Sequence, residues 1–257
     1  MIFRSDGDAF VPSGHARGPW DRAMQHGGAP SALLVRAMEA LSPDMNLARL
    51  TVEFLGAVPL EPVTVQAEVW RPGRRMQLVR ASLALAGGGR EMCRAGAVFL
   101  HRQELEGLPA DTAGPPLTKP PEEGRLATWS GDQDLEAFHR TGMKMHWIAG
   151  DWSRGPGTVW FRLAHPVLDD EAPSAAMRAA AAADFGNGIS QVLGFDEWLF
   201  INTDLTVQLH RPPRGEWVGV DARTIVQPGG VGLAVSTLHD VDGPVGTGQQ
   251  TLYVAPR

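Results

Sequence analysis

The sequence predicts an α+β protein built from two tandem repeats. Three observations lead to this prediction: an internal repeat, a shared order of elements, and helices rich in small residues. Leu-Thr-Val occurs at 50–52 and again at 205–207, an offset of 155 because 205 − 50 = 155. At this offset residues 50–82 give eight identities with 205–237, whereas composition alone predicts about two. The chain therefore carries the same unit twice.

Each half shows one helix followed by a run of strands. In the first half a helical stripe follows the glycines of QHGG, formed by Leu33, Leu34, Ala37, Met38 and Leu41. Strand-like runs come next, at 50–55, 63–69, 76–85 and 92–100. The second half repeats this order with an alanine-rich helix from about Ser174 and strand-like runs at 205–210, 217–225, 232–239 and 248–254.

The small residues of the helices indicate how each unit packs. A helix rich in Ala, Gly and Ser can lie close to a sheet that wraps around it, which is the geometry of a hotdog fold. A single hotdog leaves a helix end and a sheet edge uncovered, so two in tandem can pair within one chain. We predict a double hotdog with a first repeat over 1–102, a Pro- and Gly-rich linker over 103–125 and a second repeat over 126–257.

Composition narrows the class of ligand. The net charge of −6 argues against a nucleic-acid surface and favours a small molecule. The single cysteine, Cys93, excludes an intrachain disulfide and a multi-cysteine zinc site, and favours a reducing compartment such as the cytoplasm. No apolar run approaches the length of a membrane span, and the N-terminus has no signal-peptide core. The sequence leaves open whether the protein forms a homo-oligomer.

The first candidate site is Gln25-His26-Gly27-Gly28, at the predicted start of the first helix. Unpaired backbone N–H groups and the positive end of the helix dipole meet there, and the glycines let a carbonyl oxygen approach. These donors could stabilise an oxyanion. The alternatives are a plain glycine turn into a helix and, for His26, either a base or a helix cap.

The second candidate is Asp184, which follows five alanines. It would share a helical face with Met177, Ala180 and Ala181, a position where a surface acid is not expected. If the helix continues past Asp184, the carboxylate points towards the sheet or the interface between the halves and could act as a general base. Ordinary turn chemistry beside Gly and Asn is the alternative.

The third candidate combines Gln250, in the last strand, with Asn202 and Thr203 before the LTVQLH strand. An inward-facing glutamine can hold a water or a carboxylate without competing for the proton. Adjacent Gln249 must point to the opposite face of the strand. A polar edge-strand residue is the alternative for Gln250.

These segments resemble the acyl-CoA thioesterase II-like family, whose members have a double hotdog fold. The resemblance rests on QHGGAPSALL, LTVEFLGAVP and RPGRRMQLV in the first half, and on ADFGNG, FINTDLTVQLHRPP, EWVGVDA and GQQTLYV in the second. It implies hydrolysis of acyl-CoA to a fatty acid and CoA, within lipid metabolism. The family activates water with an Asp, a Gln and a Thr or Ser; Asp184 and Gln250 match, while the third place falls on Asn202, with Thr203 one residue later.

Thiolate is a good leaving group, so this hydrolysis needs no metal, cofactor or covalent nucleophile, and no HxH, HExxH or nucleophile-elbow motif is present. Two alternatives stay open. One is a non-catalytic protein that binds acyl-CoA or another lipid. The other is an enoyl-CoA hydratase, for which the sequence shows no convincing hydration motif with a paired Asp and His.

The repeat also predicts one catalytic site per chain. At the offset of 155 Asp184 falls on Ala29, and at a later offset of 154 Gln250 falls on Gly96, so the first half lacks the matching carboxylate and amide. The alternative is a second site that uses His26 or Glu39.

Overall fold

In the computed structural model, which describes residues 1–107, 114–129, 134–152, 155–169 and 171–257, the first half contains one α-helix and six strands. The helix is α1 (Gly28–Glu39). The strands are β1 (Phe3–Asp6), β2 (Ala9–Pro12), β3 (Met45–Phe54), β4 (Val63–Arg71), β5 (Met76–Leu85) and β6 (Glu91–His101). Residues 108–113 of the predicted linker, which include Pro109, lie outside the described residues.

Among the described residues the second half contains two α-helices, α2 (Ala175–Ala183) and the short α3 (Gly186–Ile189). Its strands are β7 (Arg125–Leu126), β8 (Met143–Ala149), β9 (Gly157–Leu163), β10 (Trp198–Asn202), β11 (Asp204–Leu209), β12 (Val218–Val226), β13 (Val231–Asp240) and β14 (Gly243–Pro256). None of the helices in the described part of the chain is long and apolar enough to cross a membrane.

The strands form one antiparallel sheet in the order β1-β2-β4-β5-β6-β3-β11-β14-β13-β12-β9-β8-β7, with β10 pairing separately with β14. The two halves join where β3 pairs with β11. Thr51 lies opposite Thr206, 155 residues later, and their Oγ1 atoms are 3.2 Å apart. Equivalent residues of the repeat therefore meet at the centre of the sheet, as they must on a pseudo-twofold axis. The α+β double hotdog is confirmed.

Helix α1 lies between the sheet and α2. The predicted stripe is confirmed at Leu33, Leu34 and Met38, each at most 1% exposed. It is wrong at Leu41, which lies beyond the end of α1 and is 38% exposed. The helix ends at Glu39 because the chain turns there into β3. Ala29, Ala32 and Val35 are buried as well, so the first turns of α1 are covered on several sides.

Helix α2 consists almost wholly of alanine, and residues 179–183 are at most 1% exposed. Its N-cap is Ser174, whose hydroxyl accepts a hydrogen bond from the Met177 N–H at 3.0 Å. Small side chains allow α1 and α2 to pack closely against each other and against the sheet. The helix predicted from about Ser174 is therefore confirmed.

The repeat offset of 155 does not hold in the helices. Helix α1 begins at Gly28 and α2 begins at Ala175, an offset of 147 because 175 − 28 = 147. Ala29 lies in the first turn of α1, whereas Asp184 is the C-cap of α2, so the predicted equivalence of these two residues is wrong. The physical reason is that α3 and β10 lie between α2 and the central strand β11, which lengthens this connection in the second half.

Candidate active site

Asp184 lies where α2 breaks before α3. Its backbone is still helical, with φ −68° and ψ −10°, and its residue exposure is only 6%. The carboxylate faces the N-terminal end of α1, where Gly27 is the N-cap. The C-terminus of α2 disfavours a negative charge, but the positive end of α1 favours one, so the position is explained by the neighbouring helix.

Three side chains contact the Asp184 carboxylate. Oδ1 accepts hydrogen bonds from Asn202 Nδ2 at 2.9 Å and from Gln250 Nε2 at 3.1 Å. Oδ2 lies 2.9 Å from His26 Nδ1. The two amide donors occupy one oxygen and leave the other against the imidazole, so the predicted residues of both halves meet at one carboxylate.

Gln250 lies behind the carboxylate and does not line the cleft described below. Its side chain is fully used: Oε1 accepts from the Asn187 backbone N–H at 2.8 Å, and Nε2 also donates to the Asp184 carbonyl at 3.1 Å. A backbone N–H can only donate, which fixes the orientation of the amide. In this geometry Gln250 holds Asp184 in place, rather than contacting a water molecule.

Asn202 occupies the third position beside Asp184, and Thr203 does not. Asn202 is the last residue of β10, whereas Thr203 lies in the bend before β11, and their side chains bond to different partners. Asn202 Nδ2 donates to Asp184 and also lies 3.2 Å from the Asp204 carbonyl. Thr203 is exposed, and its hydroxyl donates to the Thr251 carbonyl at 3.3 Å.

The His26 ring is held by aromatic neighbours, with centroid distances of 4.3 Å to Phe185 and 5.1 Å to Phe138. Its Nδ1 lies 3.1 Å from the Gly28 N–H as well as 2.9 Å from Asp184. A ring nitrogen carries either a hydrogen or a lone pair, so Nδ1 donates to an ionised Asp184 or accepts from Gly28. No local sequence motif pairs these groups, yet the fold brings an Asp and a His together across the halves.

The two glycines differ. A Cβ on Gly28 would lie 2.7 Å from the Ala181 carbonyl and 2.9 Å from the Phe138 ring, so this glycine permits close packing of α1 on α2. The Gly28 N–H is directed at His26, and Gly28 does not line the cleft. Among the described residues the Gly27 N–H has no hydrogen-bond partner, and Gly27 does line the cleft. The predicted oxyanion donor is better placed at Gly27 than at Gly28.

A cleft of about 990 Å³ opens beside Asp184, His26 and Gly27. It follows β10 from Leu199 to Asn202 and reaches Thr203 just beyond the strand. Most of the wall is apolar and aromatic, contributed by Trp20, Phe54, Trp129, Trp152, Phe185, Phe195, Phe200 and Tyr253. Such a wall suits an apolar or uncharged ligand.

Sequence reasoning missed the aromatic wall and two further residues. Asn187 fixes Gln250 through its N–H and β10 through its side chain, which donates to the Phe200 carbonyl at 2.7 Å. The ADFGNG segment contained Asn187 but gave no sign of these contacts. His139 also lines the cleft; burial and the nearby His26 and Arg140 lower its pKa to about 3, so it is neutral at physiological pH. No cluster of three metal-ligating side chains occurs in the described part of the chain.

Comparisons with known proteins agree with this fold. The sequence profile of the acyl-CoA thioesterase N-terminal domain matches residues 16–100, and that of the C-terminal domain matches residues 109–254. The molecule is thus a double-hotdog protein of the thioesterase class. The chain belongs to the acyl-CoA thioesterase family, a family of thioester hydrolases. A comparison with curated protein sequences found no match.

Solved structures show the same fold over almost the whole chain. A conserved protein of unknown function with a hot dog fold from Alicyclobacillus acidocaldarius is 19% identical, with a TM-score of 0.72 over 98% of this chain and 95% of that one. The tesB protein of Mycobacterium avium subs paratuberculosis is 17% identical, with a TM-score of 0.68 over 99% and 96%. The acyl-CoA thioesterase II TesB2 of Mycobacterium marinum is 18% identical, with a TM-score of 0.62 over 99% and 93%.

Proposed function

We propose that this chain hydrolyses acyl-CoA thioesters with a water molecule activated by Asp184. One observation carries the proposal: a buried carboxylate, held by two amides on one oxygen, lies in an open, largely apolar cleft beside Gly27, whose N–H has no hydrogen-bond partner among the described residues. Water addition to a carbonyl needs a general base and an oxyanion donor in one cleft, and Asp184 and the Gly27 N–H are the candidates for these two roles.

In the first step the thioester carbonyl lies in the cleft with its oxygen at the Gly27 N–H. Water attacks the carbonyl carbon while Asp184 Oδ2 accepts a proton from it, and the carbonyl electron pair moves to the oxygen. A single good oxyanion donor is worth about 3–4 kcal/mol. The second step breaks the C–S bond and expels the CoA thiolate, which needs no metal assistance. The proton held by Asp184 then returns to the thiolate or to solvent.

The neighbours of Asp184 have separate roles in this scheme. Gln250 and Asn202 keep Oδ1 occupied and so direct Oδ2 to the water. His26 Nδ1 donates to Oδ2 while Asp184 is ionised. This contact helps to hold Oδ2 in place for the water.

The test is a panel of saturated and unsaturated acyl-CoA thioesters in which free thiol release and loss of thioester are measured together. We expect thiol and carboxylic acid to form in equal amounts. A non-catalytic binder would return intact thioester, and an enoyl-CoA hydratase would alter unsaturated substrates without releasing thiol. Either result contradicts the proposal.

A further inference from the structure

We infer that Arg257 is the phosphate-binding residue of the cleft and that it holds a phosphate of the phosphopantetheine-bearing thioester. This inference rests on the proposed function, because it assigns one end of the cleft to the charged part of the same substrate. Arg257 lines the cleft and is exposed. Among the described residues that line the cleft, it is the one arginine, and no lysine accompanies it.

The guanidinium of Arg257 is positioned by aromatic rings. It lies 5.5 Å from the centroid of Trp20 and 4.8 Å from that of Phe195, and these two rings stack on each other at 4.4 Å. Cation–π contact fixes the group without consuming its N–H donors. Within the described part of the chain the guanidinium has no hydrogen bond or ion pair, so its planar set of donors remains available for an anion. The backbone N–H of Arg257 is tied to the Glu197 carbonyl at 3.0 Å.

The distance from the reacting centre follows from strand register. Asn202, at one end of β10, contacts Asp184, while Glu197, just before the other end, lies opposite Arg257. Five residues of extended strand span about 16 Å. An extended pantetheine arm bridges a comparable length between the thioester sulfur and its phosphate. Because the cleft follows β10 over 199–202, it offers a path for this arm between the two ends.

The charged side chains that line the cleft support the same orientation of the substrate. The acyl group and the pantetheine arm are uncharged in an ordinary acyl-CoA, whereas the phosphates carry the negative charge. The other charged side chains that line the cleft are Asp184, which faces the thioester, and Asp21, whose Oδ1 accepts from the Ala23 N–H at 2.8 Å. Both would repel a phosphate, so Arg257 is its counterpart.

The experiment compares kcat/KM for three thioesters of the same acyl group: acyl-CoA, acyl-4′-phosphopantetheine and acyl-pantetheine, which has no phosphate. We expect Arg257→Ala to lower kcat/KM for acyl-CoA about tenfold or more, chiefly through KM, and to leave acyl-pantetheine unchanged. If Arg257→Ala lowers kcat/KM for acyl-4′-phosphopantetheine as well as for acyl-CoA, Arg257 contacts the phosphate next to the pantetheine arm. If kcat/KM falls for acyl-CoA alone, Arg257 contacts the nucleotide phosphates. Both results support the inference.

The control is Arg223→Ala, which removes an exposed arginine of β12 outside the cleft and should leave all three substrates unaffected. Equal losses on all three thioesters, or no loss on acyl-CoA, would overturn the inference.

Failure of the proposed function gives a different result. If the parent protein releases no thiol from any of the three esters, hydrolysis is wrong, and calorimetry with a non-hydrolysable S-alkyl-CoA still tests Arg257 by binding alone. Weaker binding of this thioether by Arg257→Ala supports the phosphate contact, and unchanged binding contradicts it.

Discussion

At one end of the α1–α2 pair Asp184 faces the N-terminus of α1; at the other end Glu39, the last residue of α1, faces the N-terminus of α2. Both ends therefore bring a carboxylate to a helix N-terminus. At the first end Gly27 provides no side chain, and its N–H, beside the cleft, has no partner in the part of the chain that the structure describes. At the second end Ser174 caps the helix and its hydroxyl also donates to Glu39 Oε2, so the donors and the carboxylate bind each other.

The surroundings of the two carboxylates differ too. Asp184 receives two amide donors on one oxygen and has a cleft of about 990 Å³ beside it. Glu39 lines neither this cleft nor the pocket of about 470 Å³ beside Pro173 and Arg178. Helix geometry alone therefore does not make a catalytic site. Free donors, a fixed carboxylate and space for substrate occur together at one end, which supports our prediction of one site per chain.

The largest expected effect comes from exchanging each carboxylate for an amide. Asp184→Asn removes the general base and should lower kcat for thioester hydrolysis about 10²- to 10⁴-fold. Glu39→Gln is the matched change at the other end and should leave kcat near that of the parent. Thiol release by both purified variants, with folding checked by circular dichroism, decides the matter. If Glu39→Gln lowers kcat as much as Asp184→Asn does, residues at both ends of the α1–α2 pair take part in hydrolysis.

A second comparison concerns the donors to the carboxylate. Asn202→Ala removes one of the two amides on Asp184 Oδ1 and should lower kcat about 10- to 100-fold, since a hydrogen bond to a charged group is worth about 1.5–3 kcal/mol. Thr203→Ala removes a hydroxyl that bonds to the Thr251 carbonyl and should have little effect. Steady-state kinetics of both variants test the assignment. If Thr203→Ala is the more damaging, the third position belongs to Thr203.

The two helix N-termini should differ in stability when each is altered. Gly28→Ala places a Cβ against the Ala181 carbonyl and the Phe138 ring, and overpacking of this kind costs about 1–3 kcal/mol. Ser174→Ala removes the cap of α2 and should cost about 1 kcal/mol. Urea unfolding of both variants measures these changes. An Ala variant at Gly28 as stable as the parent would show that close packing does not require this glycine.

Several features could be predicted from the sequence because they are local or repeated. The Leu-Thr-Val repeat located the two central strands, and the small residues of 174–184 indicated a buried helix. The pairing of His26 with Asp184 could not be predicted, because it depends on how two helices from different halves pack. The contacts of Gly28 and Gln250 could not be predicted for the same reason: their partners, Ala181 and Asn187, are set by tertiary structure.

The aromatic cleft was also beyond sequence reasoning. Trp20, Trp129 and Phe195 come from loops, where no periodicity marks a buried face. The repeat offset gave a wrong equivalence at the helices because the connection from α2 to β11, which contains α3 and β10, is longer than its counterpart in the first half. A repeat offset derived from the strands applies to the helices only where the connecting loops of the two halves have the same length.

The smallest expected effect is a pH dependence of folding stability that comes from Glu39, at the second end of the α1–α2 pair. Burial raises the pKa of Glu39 above its ordinary value of 4.5, although the Ser174 hydrogen bond and nearby Arg102 and Arg178 oppose the shift. The unfolded chain therefore releases this proton first as pH rises. The contribution of Glu39 to stability is fully present below pH 4.5 and is lost between that value and the folded pKa, by at most about 1.4 kcal/mol per pH unit.

Glu39→Gln removes this titration while keeping an oxygen that can accept from Ser174. We expect the stability of the Gln variant relative to the parent to increase as pH rises above 4.5, and to level off once Glu39 is ionised in the folded protein. Urea unfolding of both proteins at several pH values from 4.5 to 7 measures the difference, in which the titrations of all other groups cancel to first order. A difference that is constant with pH, or that shifts towards the parent as pH rises, would show that Glu39 is ionised in the fold as readily as in the unfolded chain and that the second end binds a charge without cost.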